Sequence, residues 1–257
     1  MSGVIDTHAH LDEIENLEQV LTAAKNAGVI CIIAAGSDSE SNRKVLDIAS
    51  RYPRFVYPAI GLHPWNIEEE SLESDLAFID AHVNDVVAIG EIGLDYHKKA
   101  IASAGKPLQK TVLARLLKIA SNNNKVVIIH SRYAWRDSFD LVTEAKIRQA
   151  MFHWFTGPSS VLRDIVSNGY YLSATPAVEY HEEHRRAIKE APLEKLLLET
   201  DSPVVYRRGT EFEFESTPSD VIRSLTGAAI LKNLPPDIVA NATTANAVRL
   251  FGLREKL

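Results

Sequence analysis

The 257 residues are 46% hydrophobic and 24% charged, which excludes an extended disordered chain and supplies enough apolar material for a large core. A formal net charge of -6 argues against non-specific adhesion to a nucleic-acid backbone, so an anionic substrate would need local positive charge, which bound divalent cations can provide. The lone cysteine, Cys31 within VICIIAA, excludes an intramolecular disulfide and a cysteine cluster for zinc.

In chain order, eight short apolar runs read as strands: GVIDTHAH, VICIIAAG, FVYPAIG, VVAIGEIG, KVVIIH, QAMFHWF, YYLSA and KLLLETD. Stretches of helical period separate them, at about 13–27, 39–51, 70–82, 107–123, 134–147, 158–167, 182–190 and 218–232, with a last helix near 236–250. Pro107 suits an early helical position, Pro158 follows a turn glycine, and Pro235-Pro236 should separate the last two helices. Nearly continuous apolar strands separated by helices imply a parallel sheet covered on both faces. The expected fold class is therefore α/β, a single (β/α)8 TIM barrel over residues 1–257, with a doubly wound open sheet as the alternative. The longest connections, about 95–106 and 202–217, are expected on the C-terminal face, where such barrels build their sites. MSGVIDTHAH lacks the apolar region of a signal peptide, and no run reaches the length of a spanning helix. A soluble cytoplasmic protein with no membrane partner and no evident obligate protein partner is expected.

Polar residues interrupt the apolar runs at one end. His8 and His10 end the first strand, Glu91 the fourth, His130 the fifth, His153 the sixth and Asp201 the eighth. Side chains two apart on a strand share a face, so His8 and His10 can reach one ion. Closure of a barrel would bring all six residues to one mouth. A single histidine at a strand end more often makes a structural hydrogen bond; six ligand-type residues at five strand ends argue for a metal site. Imidazole and carboxylate donors without thiolate suit Zn, Mg, Mn, Ni or Fe. Glu91 is the candidate bridge between two divalent metal ions, an arrangement that can clamp the attacking and leaving oxygens of a phosphoryl transfer.

At these positions the chain resembles the TatD family of metal-dependent hydrolases, through DTHAH (6–10), GLHP (61–64), GEIGLDY (90–96), IHSR (129–132), HWFTG (153–157), LLLETDSP (196–203) and TTANAVRLF (243–251). The resemblance implies a TIM barrel, divalent metals and phosphodiester hydrolysis, with a 3′ to 5′ deoxyribonuclease activity acting through a metal-activated water. By motif position it implies His8, His10, Glu91, His130, His153 and Asp201 as ligands, with Glu91 where some related amidohydrolases place a carboxylated lysine. The chain departs from the family pattern at Trp154, usually Cys, at Lys125, usually Pro, and across YRRGTEFEFESTPSDV after the eighth strand. That last segment should form the pocket rim, so the departure bears on substrate rather than on metal.

Asp201 is the expected acceptor of the water proton, with Glu91 as the other catalytic carboxylate. His63 is a candidate contact to the scissile phosphate or leaving group, against a rim histidine bonded to backbone. Arg132 is a candidate fork onto phosphate, against a salt bridge to a loop carboxylate. Asp95 could hold a ligand histidine in its tautomer or merely form a turn. Arg207 and Arg208 are read as solvated, and Phe152, Trp154 and Phe155 as either stacking platform or strand packing. With 7% aromatic residues and no basic stripe, DNA ends or short oligonucleotides fit better than a long duplex. The alternatives are a hydrolase of the same barrel type acting on an ester, amide or cyclic C–N bond, and a metal-binding scaffold without turnover.

Overall fold

The computed structural model describes residues 3–253, in which eight parallel strands lie side by side in sequence order. They are β1 (Val4–Ala9), β2 (Val29–Ala35), β3 (Val56–Ile60), β4 (Ala88–Asp95), β5 (Val126–Arg132), β6 (Ala150–Phe152), β7 (Tyr171–Ala174) and β8 (Leu196–Leu198). The sheet curls so that β8 returns to β1: Ala9 bridges to Ser202, the Asp201 N–H donates to the His8 carbonyl at 3.0 Å, and the His10 N–H donates to the Ser202 carbonyl at 2.7 Å. Side chains reinforce the seam. Asp6 Oδ1 accepts from the Thr200 N–H at 3.0 Å and Asp6 Oδ2 from the Thr200 hydroxyl at 2.6 Å, while Thr7 Oγ1 donates to the Leu198 carbonyl at 2.9 Å.

Among the described residues ten α-helices surround the strands: α1 (Leu17–Asn26), α2 (Ser39–Arg51), α3 (Leu72–Ala81), α4 (Lys98–Ser103), α5 (Lys106–Asn122), α6 (Trp135–Glu144), α7 (Ser159–Ser167), α8 (Glu182–Glu190), α9 (Val221–Lys232) and α10 (Pro236–Phe251). Their boundaries have local causes. Asp38 caps α2 through a reciprocal hydrogen-bonded box with Ser41, and Pro107 and Pro236 occupy first-turn positions of α5 and α10. The two longest connections carry short elements of their own: the one after the fourth strand contains α4, and the 202–217 segment folds into a small antiparallel hairpin of β9 (Val205–Tyr206) and β10 (Phe214–Glu215). Both elements are short, below the length at which periodicity is readable.

The two-residue strand period places alternate side chains on opposite faces, and both faces are buried. Ile5, Cys31, Ile33, Ile128, Met151 and Leu197 belong to the cluster that fills the barrel, joined by Leu250 and Phe251 of α10 near the strands' N-terminal ends. Neighbours in register such as Ile32, Ile129, Phe152 and Leu198 pack outward in the clusters shared with the helices. Among the described residues no helix is long and apolar enough to cross a membrane.

Candidate metal centre

All six residues selected from strand ends meet at the C-terminal mouth, but not all of them end a strand. Glu91 lies in the middle of β4, where the pairing with β5 slips register between Ile89 and Ile92. His153 follows β6 by one residue, and Asp201 follows β8 by three. Two glycines of the sequence motifs explain how closely the backbones approach here. A Cβ on Gly61 would run into the Glu91 carbonyl, and one on Gly93 into the His130 carbonyl.

Glu91 is the hub. Its Oε2 lies 3.4 Å from His8 Nε2 and 3.3 Å from His10 Nε2, and Asp201 Oδ1 stands 3.3 and 3.5 Å from the same two nitrogens. Its Oε1 lies 2.8 Å from both His130 Nδ1 and His153 Nε2, which are 3.4 Å from each other. His63 Nε2 joins this second side at 3.6 Å. The donor atoms therefore form two groups that share one carboxylate.

These residues fit divalent cations. Donors about 2.1 Å from a tetrahedral centre sit about 3.4 Å apart, which is the spacing on the Oε2 side. Both ring nitrogens of His8 and Nδ1 of His153 are buried without a hydrogen-bond partner, a cost that a bound ion would relieve at the atoms facing the cluster. Nitrogen and oxygen donors without sulfur suit borderline and hard cations.

The outer nitrogens are also organised. His10 Nδ1 is 3.1 Å from the Ala35 carbonyl, which can only accept, so the proton sits on Nδ1 and Nε2 offers its lone pair to the cluster. His130 Nε2 lies 3.2 Å from Asp95 Oδ2, and His153 Nδ1 lies 3.6 Å from Glu199 Oε2. His63 is reversed: its Nδ1 accepts from the Trp65 N–H at 3.2 Å, which leaves the proton of the neutral ring on Nε2, facing the cluster. His63 thus presents a donor where His10 presents a lone pair.

Burial works against charge throughout the cluster, and the outcome differs by residue. Burial opposes charge on His10, but Asp201 and Glu91 raise its pKa well above the ordinary range, and a cation facing Nε2 would answer the same attraction in place of a proton. Burial likewise opposes charge on Glu91, but the surrounding histidines, His153 and His63 foremost, keep its carboxyl well below the usual range. At Asp201 burial is outweighed by the hydrogen bonds from His10 and His8, so the carboxylate stays ionised. Burial dominates at His63 and pushes it down to about 3, leaving that ring neutral.

The mouth opens from a cavity of ≈ 780 Å³ bordered by His63, Trp65, Arg132, Tyr133 and Trp154 as well as the cluster. Arg132 is exposed there, its guanidinium 5.7 Å from the Tyr133 ring. Asp95 meets both expectations held for it, since Oδ2 contacts His130 while Oδ1 accepts from the His97 N–H at 2.7 Å. Phe152 and Phe155 are 0% and 1% exposed, so strand packing accounts for them and only Trp154 of that trio borders the cavity. Arg207 is paired with Glu179 at 3.4 Å.

Sequence reasoning missed Glu199. It is fully buried, accepts from Ser173 Oγ at 2.6 Å and from the Trp154 N–H at 2.8 Å, and stands behind His153. A charged residue inside the apolar run LLLETD was the available signal. Trp65, whose indole donates to Asp95 Oδ2 at 2.6 Å, was missed as well.

The family model described as TatD related DNase matches residues 5–252. The human protein named Deoxyribonuclease TATDN3 is 32% identical, over 97% of this chain and 94% of its own length. YabD of Bacillus subtilis (strain 168), named an uncharacterized metal-dependent hydrolase, is 35% identical over 96% of this chain and 98% of its own. Among solved structures, YJJV, a TatD homolog from Escherichia coli k12, superposes with a TM-score of 0.86 at 30% identity, covering 97% of this chain and 98% of that one. A barrel with these donors at its mouth, matched along nearly its whole length, belongs to the TatD family of metal-dependent hydrolases.

Proposed function

We propose that the protein is a phosphodiesterase of the deoxyribonuclease type that removes nucleotides from DNA ends or short oligonucleotides, using two divalent cations shared through Glu91. The observation that carries this reading is the division of the donors between the two Glu91 oxygens, one side with His8, His10 and Asp201 and the other with His130 and His153. The names of the human relative and of the matching family model point to the same chemistry. Divalent cations held there would neutralise phosphoryl charge and acidify the attacking water.

The chain's own residues supply the remaining roles. Asp201, ionised and at the mouth, is in the form that accepts the water proton. His63, neutral and with its proton on Nε2, donates to a phosphoryl or leaving-group oxygen. Arg132, exposed at the end of β5, reaches for a neighbouring phosphate with its planar fork. Six ligand-type side chains and no missing partner weigh against a scaffold without turnover.

The test is a substrate panel run with Zn, Mg, Mn, Ni and Fe supplied singly. Oligonucleotides with free 3′ ends should be shortened one nucleotide at a time. Hydrolysis of a lactone or an N-acyl compound, with all phosphodiesters left intact, would replace this reading by that of an ester or amide hydrolase.

A further inference from the structure

Trp65 lies two residues past His63, borders the cavity, and keeps 44% of its surface exposed. Burial does not account for its place, because an indole left this exposed forgoes much of its hydrophobic gain. Nor is the ring free to reorient. Its only polar atom, Nε1, donates to Asp95 Oδ2 at 2.6 Å, and that same oxygen is 3.2 Å from His130 Nε2. Asp95 is in turn fixed by Gln109, whose Oε1 accepts from the Asp95 N–H at 2.9 Å and whose Nε2 donates to the Asp95 carbonyl at 3.0 Å. One carboxylate oxygen thus sets the position of an imidazole of the cluster and of an indole at the rim.

The indole has a surface to offer. His63 sits 6.3 Å from it, centre to centre, with the planes tilted 53°, so the imidazole does not lie flat on the indole. Tyr133, the other exposed aromatic at the mouth, is 58% exposed, but its neighbours are the His97 ring at 6.4 Å, the Trp135 ring at 5.8 Å and the Arg132 guanidinium at 5.7 Å, whereas Trp65 is tied to a carboxylate that also contacts the cluster.

We propose that Trp65 is a specificity-determining residue: the platform on which the base of the nucleotide entering the centre stacks, held in register with the cluster by Asp95. The inference rests on the phosphodiesterase reading and adds to it the recognition of a nucleobase. Every base has a π-face, so such a platform accepts all four and confers little sequence preference. Its signature is a demand for some base at one position.

The experiment uses single-stranded oligonucleotides that carry an abasic residue at either the terminal or the penultimate 3′ position, compared with the intact strand. Wild-type kcat/KM should fall about tenfold at one of the two positions, mostly through KM. In Trp65→Leu the intact and abasic strands should become equivalent, whatever the absolute rate of the variant. Trp65→Phe, which keeps a ring but lacks the N–H that reaches Asp95, should retain part of the base dependence and serves if the leucine variant folds poorly. A wild-type enzyme indifferent to base removal at both positions, or an intact-to-abasic ratio in Trp65→Leu equal to that of wild type, overturns the platform while leaving the phosphodiesterase reading standing. Esters or amides hydrolysed in place of all oligonucleotides overturns that reading itself.

Discussion

On the Oε2 side of Glu91, His8 and His10 come from one strand, and Asp201 reaches them across the β8–β1 seam. The outer nitrogen of His10 is backed by a backbone carbonyl. On the Oε1 side, His130 and His153 come from two adjacent strands, and each has a carboxylate behind it, Asp95 in one case and Glu199 in the other. A carboxylate behind an imidazole makes it a more basic and better oriented donor than a carbonyl does. The first side therefore depends on chain closure for its geometry, and the second on two further side chains that the barrel must bury.

The largest expected effect comes from removing what the sides share. Glu91→Gln should lose bound metal on both sides and turnover with it, as read by metal analysis of the purified protein beside an oligonucleotide assay. Retention of one full equivalent would break the comparison by showing that the sides fill independently. Asp201→Asn should lower kcat by about 10²- to 10⁴-fold while keeping most of the metal. Unchanged turnover would remove Asp201 from proton transfer and leave it as a ligand alone.

Smaller effects should sort by side. Asp95→Asn and Glu199→Gln should each weaken metal binding by about 10- to 100-fold, confined to one of two equivalents in a titration monitored by calorimetry. Equal weakening of both equivalents would mean that the backing carboxylates act on the whole centre. His184 gives the baseline for a buried ring backed by a carbonyl, with Nδ1 at 3.1 Å from the Phe155 carbonyl and the Thr175 N–H donating to Nε2 at 3.1 Å. Burial lowers its pKa from 6.5 to about 4, so the folded state holds it neutral. Its contribution is complete above pH 6.5 and is lost as pH falls toward 4, roughly 3 kcal/mol in all. His184→Gln, which does not titrate, should show a shallower loss of urea stability between pH 7 and 4.5, and an equal slope would refute the assignment.

Much of this was legible in the sequence because apolar strands bracketed by helical stretches leave few topologies, and polar residues within such strands stand out. The eight runs correspond to β1–β8. What escaped had weaker signals. Glu91 was placed at the end of the fourth run, whereas β4 continues through Asp95, with Gly90 and Gly93 permitting close approach of β5. Phe152 and Phe155 could not be told from a stacking surface until their burial was seen. Glu199 reaches the Trp154 N–H across 45 positions and Trp65 reaches Asp95 across 30, and no local pattern encodes those distances.

The seam where Asp6 holds Thr200 joins residues 194 positions apart. A link of that span carries a large loop-closure entropy and rewards the chain only once everything between has been laid down. His8 and His10 are synthesised long before Asp201, their carboxylate partner across the seam. The centre is thus a checkpoint on the whole barrel: a chain that stops short of β8 lacks both Asp201 and the seam that aligns it with His8 and His10.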